Sequence, residues 1–313
     1  MEIFEITYPH TFEYNELPNT ITAIGFFDGI HRGHQKVIKE AIKESAERRM
    51  ENAVITFHPH PSVVLKNGNH DVEYITPMKE KKKILENLGV DRLYIIEFNK
   101  ELSQLSPQEF IDHFIIGLNI KHVVAGFDYT FGHRGSGNMT NIGDYTRDAF
   151  TYTTIEKVTL KEEKVSSSRI RNLLKEGRVD EANLLLSRPF KLTGIVIRGD
   201  QRGREIGYPT ANLEVDPEAL LPKQGIYAVK VIYGNEQFNG MANIGTNPTF
   251  TADRKDLSVE IHIFDYNNNL YGEELTVEWY QYMREEKKFD SVESLIEQMA
   301  LDEKNIRQYF SMS

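Results

Sequence analysis

The stretch that decides the fold of the first half of this chain is GFFDGIHRGHQKVI, residues 25–38. It overlaps a short apolar run, Ile21 to Phe27, and opens a segment of helical periodicity. A strand that turns through glycines into a helix start makes an anion site, because unpaired N–H groups and the helix dipole face the loop. His31 and His34 stand at that start as two cationic donors for a bound phosphate. Gly33 between them lets backbone approach the ligand, and Asp28 offers a carboxylate to orient a donor or a metal. The same spacing also suits a metal pair at i, i+3, or two imidazoles capping the helix. A zinc site would need a third ligand, which this segment does not supply.

Outward from this motif, residues 1–186 alternate between strand and helix patterns. Apolar runs at Thr22–Phe26, Ala53–Phe57, Arg92–Phe98 and His122–Ala125 read as strands. Between them, Val37, Ile38, Ala41 and Ile42 form one helical stripe, and further helices are expected over Lys79–Asn87 and Pro107–Leu118. This alternation predicts a mostly parallel sheet covered on both faces, with ligands at the carboxyl ends of the strands. The Lys81–Lys83 run is expected on a solvated helix face.

Near residue 187 the texture changes. Short β-rich segments follow at Leu192–Arg198, Ile226–Tyr233, Leu257–Phe264 and Leu275–Trp279, separated by Gly, Asn and Pro turns. They read as a compact all-β barrel, closed by a helix over Ser291–Phe310. The expected division is therefore residues 1–186 and 187–313. With 313 residues, 40% hydrophobic and 27% charged, the chain has the composition of a globular protein with room for two domains. Zero cysteines exclude disulfides and thiolate metal sites and fit a reducing cytosol. The net charge of −10 leaves neither half basic, which argues against nucleic-acid binding. No apolar run approaches the ~18 residues that span a bilayer, and MEIFEITYPH lacks the basic and apolar regions of a signal peptide. Cytoplasmic residence, no membrane partner, and a monomer or weak homo-oligomer are the expectations.

Three more segments of the first half carry donors. TFHPHP, 56–61, stiffens the exit of a strand with Pro59 and Pro61 around His60. In AGFDYTFGHRGSGN, 125–138, Gly126 makes room for a flat or phosphorylated ligand to which Asp128 and Asn138 offer hydrogen bonds. In VSSSRIRNLLKEG, 165–177, Ser167 and Ser168 open a helix beside Arg169, and Gly177 stops it.

Together these segments resemble the adenylyltransferase module of the bacterial bifunctional riboflavin kinase/FAD synthetase family. The resemblance covers the whole chain, since the second half carries kinase-module motifs in order: GIVIRGDQRGREIGYPTANL (194–213), GIYAVKV (225–231), GMANIGTNPTF (240–250), VEIHIFDYNNNLYGEEL (259–275) and REEKKF (284–289). It implies a Rossmann-like nucleotidyltransferase domain followed by a riboflavin-kinase-like barrel. ATP would be co-substrate, riboflavin, FMN and FAD would be substrate, intermediate and product, and Mg²⁺ would assist. The resemblance assigns Gly25, Phe27, Asp28, Gly33, Pro59, His60, Gly126, Asp128, Ser167, Ser168 and Arg169 to nucleotide and flavin in the first module. In the second it assigns Gly199, Gly203, Arg204, Gly207, Pro209, Asn243 and Arg284 to ligand binding, Thr210 and Asn212 to Mg²⁺, and Glu260 to catalysis. Arg284, at the start of a loop, reads equally as a structural arginine. The chain departs from the common family pattern at Asn138, Ser168 and Gln224.

The chemistry agrees with these assignments. Phosphorylating a riboflavin hydroxyl uses a weak neutral nucleophile, so a positioned base such as Glu260 helps. Alternation over 257–263 puts Leu257, Val259, Ile261 and Ile263 on one face and Ser258, Glu260 and His262 on the other. Adenylyl transfer to FMN starts from an anionic phosphate. Its need is alignment and charge stabilisation, for which His31 and His34 are suited. Two other readings use the same residues: an adenylyltransferase with a vestigial kinase half, and a non-catalytic flavin-binding regulatory protein.

Overall fold

The structure is a computed structural model that describes residues 1–10, 17–65, 72–199, 203, 206–246 and 257–312. The chain divides into two compact units, Met1–Ser166 and Ser167–Ser313.

The first unit is built on a parallel sheet. Its elements are β1 (Glu2–Ile6), β2 (Thr20–Ile24), α1 (Arg32–Arg48), β3 (Glu51–His58), α2 (Pro61–Leu65), α3 (Met78–Asn87), β4 (Arg92–Glu97), α4 (Lys100–Ser103), α5 (Pro107–Ile111) and β5 (Ile120–Gly126). After them come a short pair β6 (Thr130–Phe131) and β7 (Gly137–Asn138), the strand β8 (Thr151–Ile155), and a second short pair β9 (Thr159–Leu160) and β10 (Glu163–Lys164). The order across the large sheet is β1-β4-β3-β2-β5-β8, and every neighbouring pair is parallel.

Alternate strand residues feed two apolar cores. Ile21, Ala23, Val54, Leu93 and Val124 pack with Val37, Ile38 and Ala41 of α1 and Leu85 of α3. Ile24, Ile55, Tyr94 and Val123 face the other way, onto Phe110 of α5 and Phe114. Burial on both faces is why these strands read as unbroken apolar runs. The expected Pro107–Leu118 helix starts on a Ser106–Glu109 capping box but changes to a wider π-helical turn at Asp112–Ile116.

Two strands of the large sheet escaped the sequence reading. Glu2–Ile6 alternates weakly and lies at one edge, while Thr151–Ile155, mostly polar, forms the other. Edge strands bury less and so carry less apolar signal. The lysine run also departs from expectation. Lys83 is exposed, but Lys81 is only 2% exposed and lies on the same face of α3 as the fully buried Leu85, four residues on.

The second unit begins with α6 (Ser167–Lys175) and α7 (Val179–Leu186). There follow β11 (Phe190–Ile197), β12 (Ala211–Val215), β13 (Gly225–Tyr233), β14 (Glu236–Thr246), β15 (Leu257–Ile263), β16 (Glu274–Arg284) and the helix α8 (Val292–Met312). The strands close into a barrel in the order β11-β12-β15-β14-β13-β16, with β16 pairing back onto β11. Trp279, Tyr227 and Val277 are fully buried, and Ile306 of α8 packs on Ala228, Met241 and Phe264.

The compact units meet twenty residues before the expected 186/187 division. The reason is that α7 packs on β11 and β16, with Asn183 donating to the Trp279 carbonyl and accepting from the Phe190 N–H.

Candidate active sites

The parallel sheet brings three of the sequence motifs to one edge. From β2 the chain moves through β3 to β4 on one side, while β5 lies on the other, so the β2/β5 border is the topological switch point where ligands bind in such sheets. The loops leaving the carboxyl ends of β2, β3 and β5 carry His31 and His34, Pro59 and His60, and Gly126 and Asp128, respectively.

His31 is the N-cap of α1 and is buried, its Nδ1 accepting the His34 N–H at 3.2 Å. An imidazole accepting at Nδ1 is neutral and donates only through Nε2. The capping and phosphate-donor readings of this residue are thus compatible, since the cap leaves Nε2 as the ring nitrogen that can donate. The His34 ring stacks on His31 at 3.6 Å between centroids and meets the Phe27 ring edge-on at 5.3 Å. A Cβ on Gly33 would lie 3.1 Å from His31 Cε1. The glycine therefore makes room for the His31 ring, where the sequence suggested room for phosphate. Gly25 has the same relation to the Phe27 ring, at 3.0 Å.

The turn between these residues is strained. Phe27 and Ile30 hold φ of 52° and 39°, with Gly29 at 85° between them. Left-handed backbone costs about 1–3 kcal/mol at each non-glycine residue and is an outlier for a β-branched one. Asp28 helps to hold the turn: it is buried and accepts the N–H groups of Ile75 and Thr76 at 3.3 and 3.0 Å. These bonds give the carboxylate a loop-bracing position.

His60 is held by its own loop, its Nδ1 accepting the Ser62 N–H at 3.1 Å and its N–H donating to the Tyr74 hydroxyl at 2.9 Å. Its ring stands edge-on to Phe26 at 4.5 Å. Asp128 is exposed and ion-paired with Lys164 at 2.6 Å. Asn138 closes a local turn by accepting from Thr140 and Asn141. Ser167, Ser168 and Arg169 open α6, in the second unit.

Sequence reasoning missed Lys81 and Tyr74. Lys81 carried a readable signal, since it shares a helical stripe with Leu85, but charge runs are ordinarily solvated. Its Nζ donates to the Phe26 carbonyl at 2.8 Å and to the Thr56 hydroxyl at 3.2 Å. Burial pulls its pKa down to about 8, with the Asp28 carboxylate opposing the fall.

In the barrel, strand register assembles the second site. Asn212 of β12 lies opposite Glu260 of β15, and Glu260 lies opposite Asn243 of β14. The row continues from Asn243 to Ile226 and from Ile226 to Arg284. Residues paired across strands share a face, so Asn212, Glu260 and Asn243 project side by side, away from buried Val259, Ile261 and Ile263. Asn243 donates to Glu286 at 3.1 Å, while its own Oδ1 is buried without a hydrogen-bond partner.

A Cβ on Gly199 would collide with the Asn212 amide, so the glycine allows the preceding loop to lie on that side chain. Thr210 sits two residues before Asn212, and the Pro209 carbonyl accepts from His262 Nδ1 at 2.8 Å. Hydroxyl and amide oxygens at Thr210 and Asn212 suit Mg²⁺, which takes few protein ligands and completes its shell with phosphate and water. Gly203 accepts from Tyr208 at 2.8 Å, and Gly207 takes a φ of 84°. Arg204 and the 247–250 end of the GMANIGTNPTF motif lie outside the described residues.

Arg284 is held by α8. Its guanidinium makes a bidentate pair with buried Asp302, the shortest contact being 2.6 Å, and donates to the Glu285 carbonyl. Beside the Tyr208–Pro209 loop lies an open cavity of about 350 Å³ lined by His262, Tyr266 and the Arg307–Asp265 ion pair.

Comparisons with known proteins match two families along the chain. A family model described as FAD synthetase covers residues 13–169, and one described as riboflavin kinase covers 186–310. A bifunctional riboflavin kinase/FMN adenylyltransferase of Listeria monocytogenes is 46% identical over 94% of this chain and 93% of its own length. The Bacillus subtilis enzyme of the same description is 43% identical over 99% of both chains. A solved Streptococcus pneumoniae structure described as a macrolide-efflux protein shares the fold over 98% of this chain and 99% of its own, at 33% identity and a TM-score of 0.88. Among the described residues of this chain, no helix is long and apolar enough to cross a membrane. With two adjoining domain matches in the expected order and relatives aligned along nearly their full length, the chain belongs to the bifunctional riboflavin kinase/FMN adenylyltransferase family.

Proposed function

We propose that this protein makes FMN and then FAD, phosphorylating riboflavin with one ATP and adenylylating FMN with a second. The observation that carries the kinase half is the register row in which Asn212 and Asn243 flank Glu260. A carboxylate that only solvated a strand would need neither neighbour.

In the kinase reaction Glu260 takes the proton of the ribityl 5′-hydroxyl as that oxygen bonds to the γ-phosphorus, and ADP leaves. Thr210 and Asn212 would hold Mg²⁺, whose positive charge on phosphate oxygens offsets charge in the transition state. The family resemblance assigns Gly199, Gly203 and Gly207 to ligand binding beside Thr210 and Asn212. Asn243 Oδ1, buried and unsatisfied, suits a donor on the flavin or nucleotide.

In the adenylyl reaction a phosphate oxygen of FMN bonds to the α-phosphorus of ATP and pyrophosphate leaves. No protein nucleophile is required. His31 Nε2 and the His34 ring supply donors to the phosphates, backed by the N-terminus of α1. The family resemblance assigns Ser167, Ser168 and Arg169 to the same reaction.

Incubating the protein with Mg²⁺-ATP and either riboflavin or FMN, then resolving the flavins by chromatography, tests both halves. We expect FMN and FAD from riboflavin, and FAD from FMN. FAD from FMN without FMN from riboflavin would overturn the kinase assignment, and no product from either would leave a binding protein.

A further inference from the structure

Lys81 is a buried cation that the mechanism above does not use. It reaches from the first turns of α3 to the Phe26 carbonyl, the point at which the chain leaves β2 for the strained turn. The Thr56 hydroxyl donates to the same carbonyl at 2.9 Å while accepting from Lys81, so three groups form one closed triangle. The ammonium also lies 4.8 Å from the centroid of the Phe26 ring, which meets the His60 ring edge-on.

A second brace runs the other way between the same two segments. Asp28 accepts the backbone N–H groups of Ile75 and Thr76, just before α3 begins. One charged side chain from each segment is thus tied to the other's backbone. Between the two braces and α1 lie the left-handed residues Phe27, Gly29 and Ile30. Strained backbone persists only where its surroundings over-determine it.

We propose that Lys81 is a positioning residue for adenylyl transfer, its ammonium fixing the Phe26 carbonyl so that the turn to His31 and His34 presents their ring N–H groups to the reacting phosphates. The inference rests on the assignment of those histidines to the adenylyl site. It follows from the cost of the arrangement: a lysine kept from water is unfavourable unless its hydrogen bonds do something an apolar residue would not. A methionine of similar length would fill the same space without that cost, but it would leave the Phe26 carbonyl with the Thr56 hydroxyl alone.

The test is Lys81→Met in the full chain, with both reactions measured on one preparation. We expect kcat for FAD formation from FMN to fall about 100-fold, the scale of a 1 Å misplacement of a catalytic group. KM for ATP and FMN should stay within about threefold, because the substrate contacts themselves remain. Riboflavin phosphorylation should be unchanged and Tm no lower than that of the parent. A kcat within twofold of the parent would overturn the proposal, and so would a loss confined to KM. Should Lys81→Met fail to fold, Thr56→Val removes one side of the triangle with little change of volume. There we expect about a tenfold loss of adenylyl kcat, and no loss would overturn the proposal. His31→Ala and His34→Ala separate the two claims. Unchanged FAD formation in both would overturn the histidine assignment, whereas their loss beside an unaffected Lys81→Met would overturn the positioning role alone.

Discussion

Gly33 and Glu260 show how differently single residues act in the two units. Gly33 acts through its lack of a side chain, because a Cβ there would press on the His31 ring at 3.1 Å. Gly33→Ala should therefore displace the His31 ring by a few tenths of an ångström and lower FAD formation about tenfold, with riboflavin phosphorylation as the unaffected control. Glu260 is proposed for its basicity. Glu260→Gln should cut riboflavin phosphorylation by at least ~100-fold, the lower range for loss of a general base, and spare adenylyl transfer from supplied FMN. Unchanged phosphorylation would remove Glu260 from the mechanism. Both residues were legible in the sequence, since each sits in a motif whose periodicity sets its direction. Lys81 was legible only in part: its stripe with Leu85 pointed inward, but its burial depends on what α3 packs against.

The elements explain why the sites are where they are. In the sheet, β2, β3 and β5 are adjacent and parallel, so their exits converge at one edge without any contact between motifs in sequence. In the barrel, residues far apart in the chain become neighbours through register, as Asn212, Glu260 and Asn243 do. The helix α8 adds a constraint that no strand pattern announces. Its Asp302 fixes the Arg284 guanidinium at the end of the same row. Removing one partner of a buried ion pair leaves the other charge uncompensated. Asp302→Ala should therefore lower barrel stability by about 3–5 kcal/mol, read as a loss of Tm and of denaturation midpoint. Arg284 is braced structurally by Asp302, and its ligand-binding reading is a proposal that rests on its place at the end of the row.

For the whole molecule, the buried lysine makes stability depend on pH in an unusual direction. Its folded pKa lies near 8, against an ordinary value of 10.5 in the unfolded chain, with Asp28 the carboxylate acting on it. Between those values the unfolded state binds more protons, so stability rises with pH rather than falling. Comparing the parent with Lys81→Met isolates this contribution. The parent should gain about 3 kcal/mol relative to the variant as pH climbs from 8 to 10.5, by denaturant titration at each pH. A parallel pair of curves would show that Lys81 does not titrate in that window.

What the sequence by itself determined is the class of each half and the inventory of its chemistry. Periodicity, glycine turns and the order of motifs are local properties, and they name a parallel α/β unit and a barrel, while the resemblance those motifs carry supplies the candidate residues of each site. What only the tertiary structure decided is which of those residues share a site and what holds them there. The edge strands β1 and β8, the buried placement of Lys81, and the barrel-side packing of α7 all depend on non-local contacts. Burial and register are properties of pairs distant in the chain, and no window of sequence contains both partners.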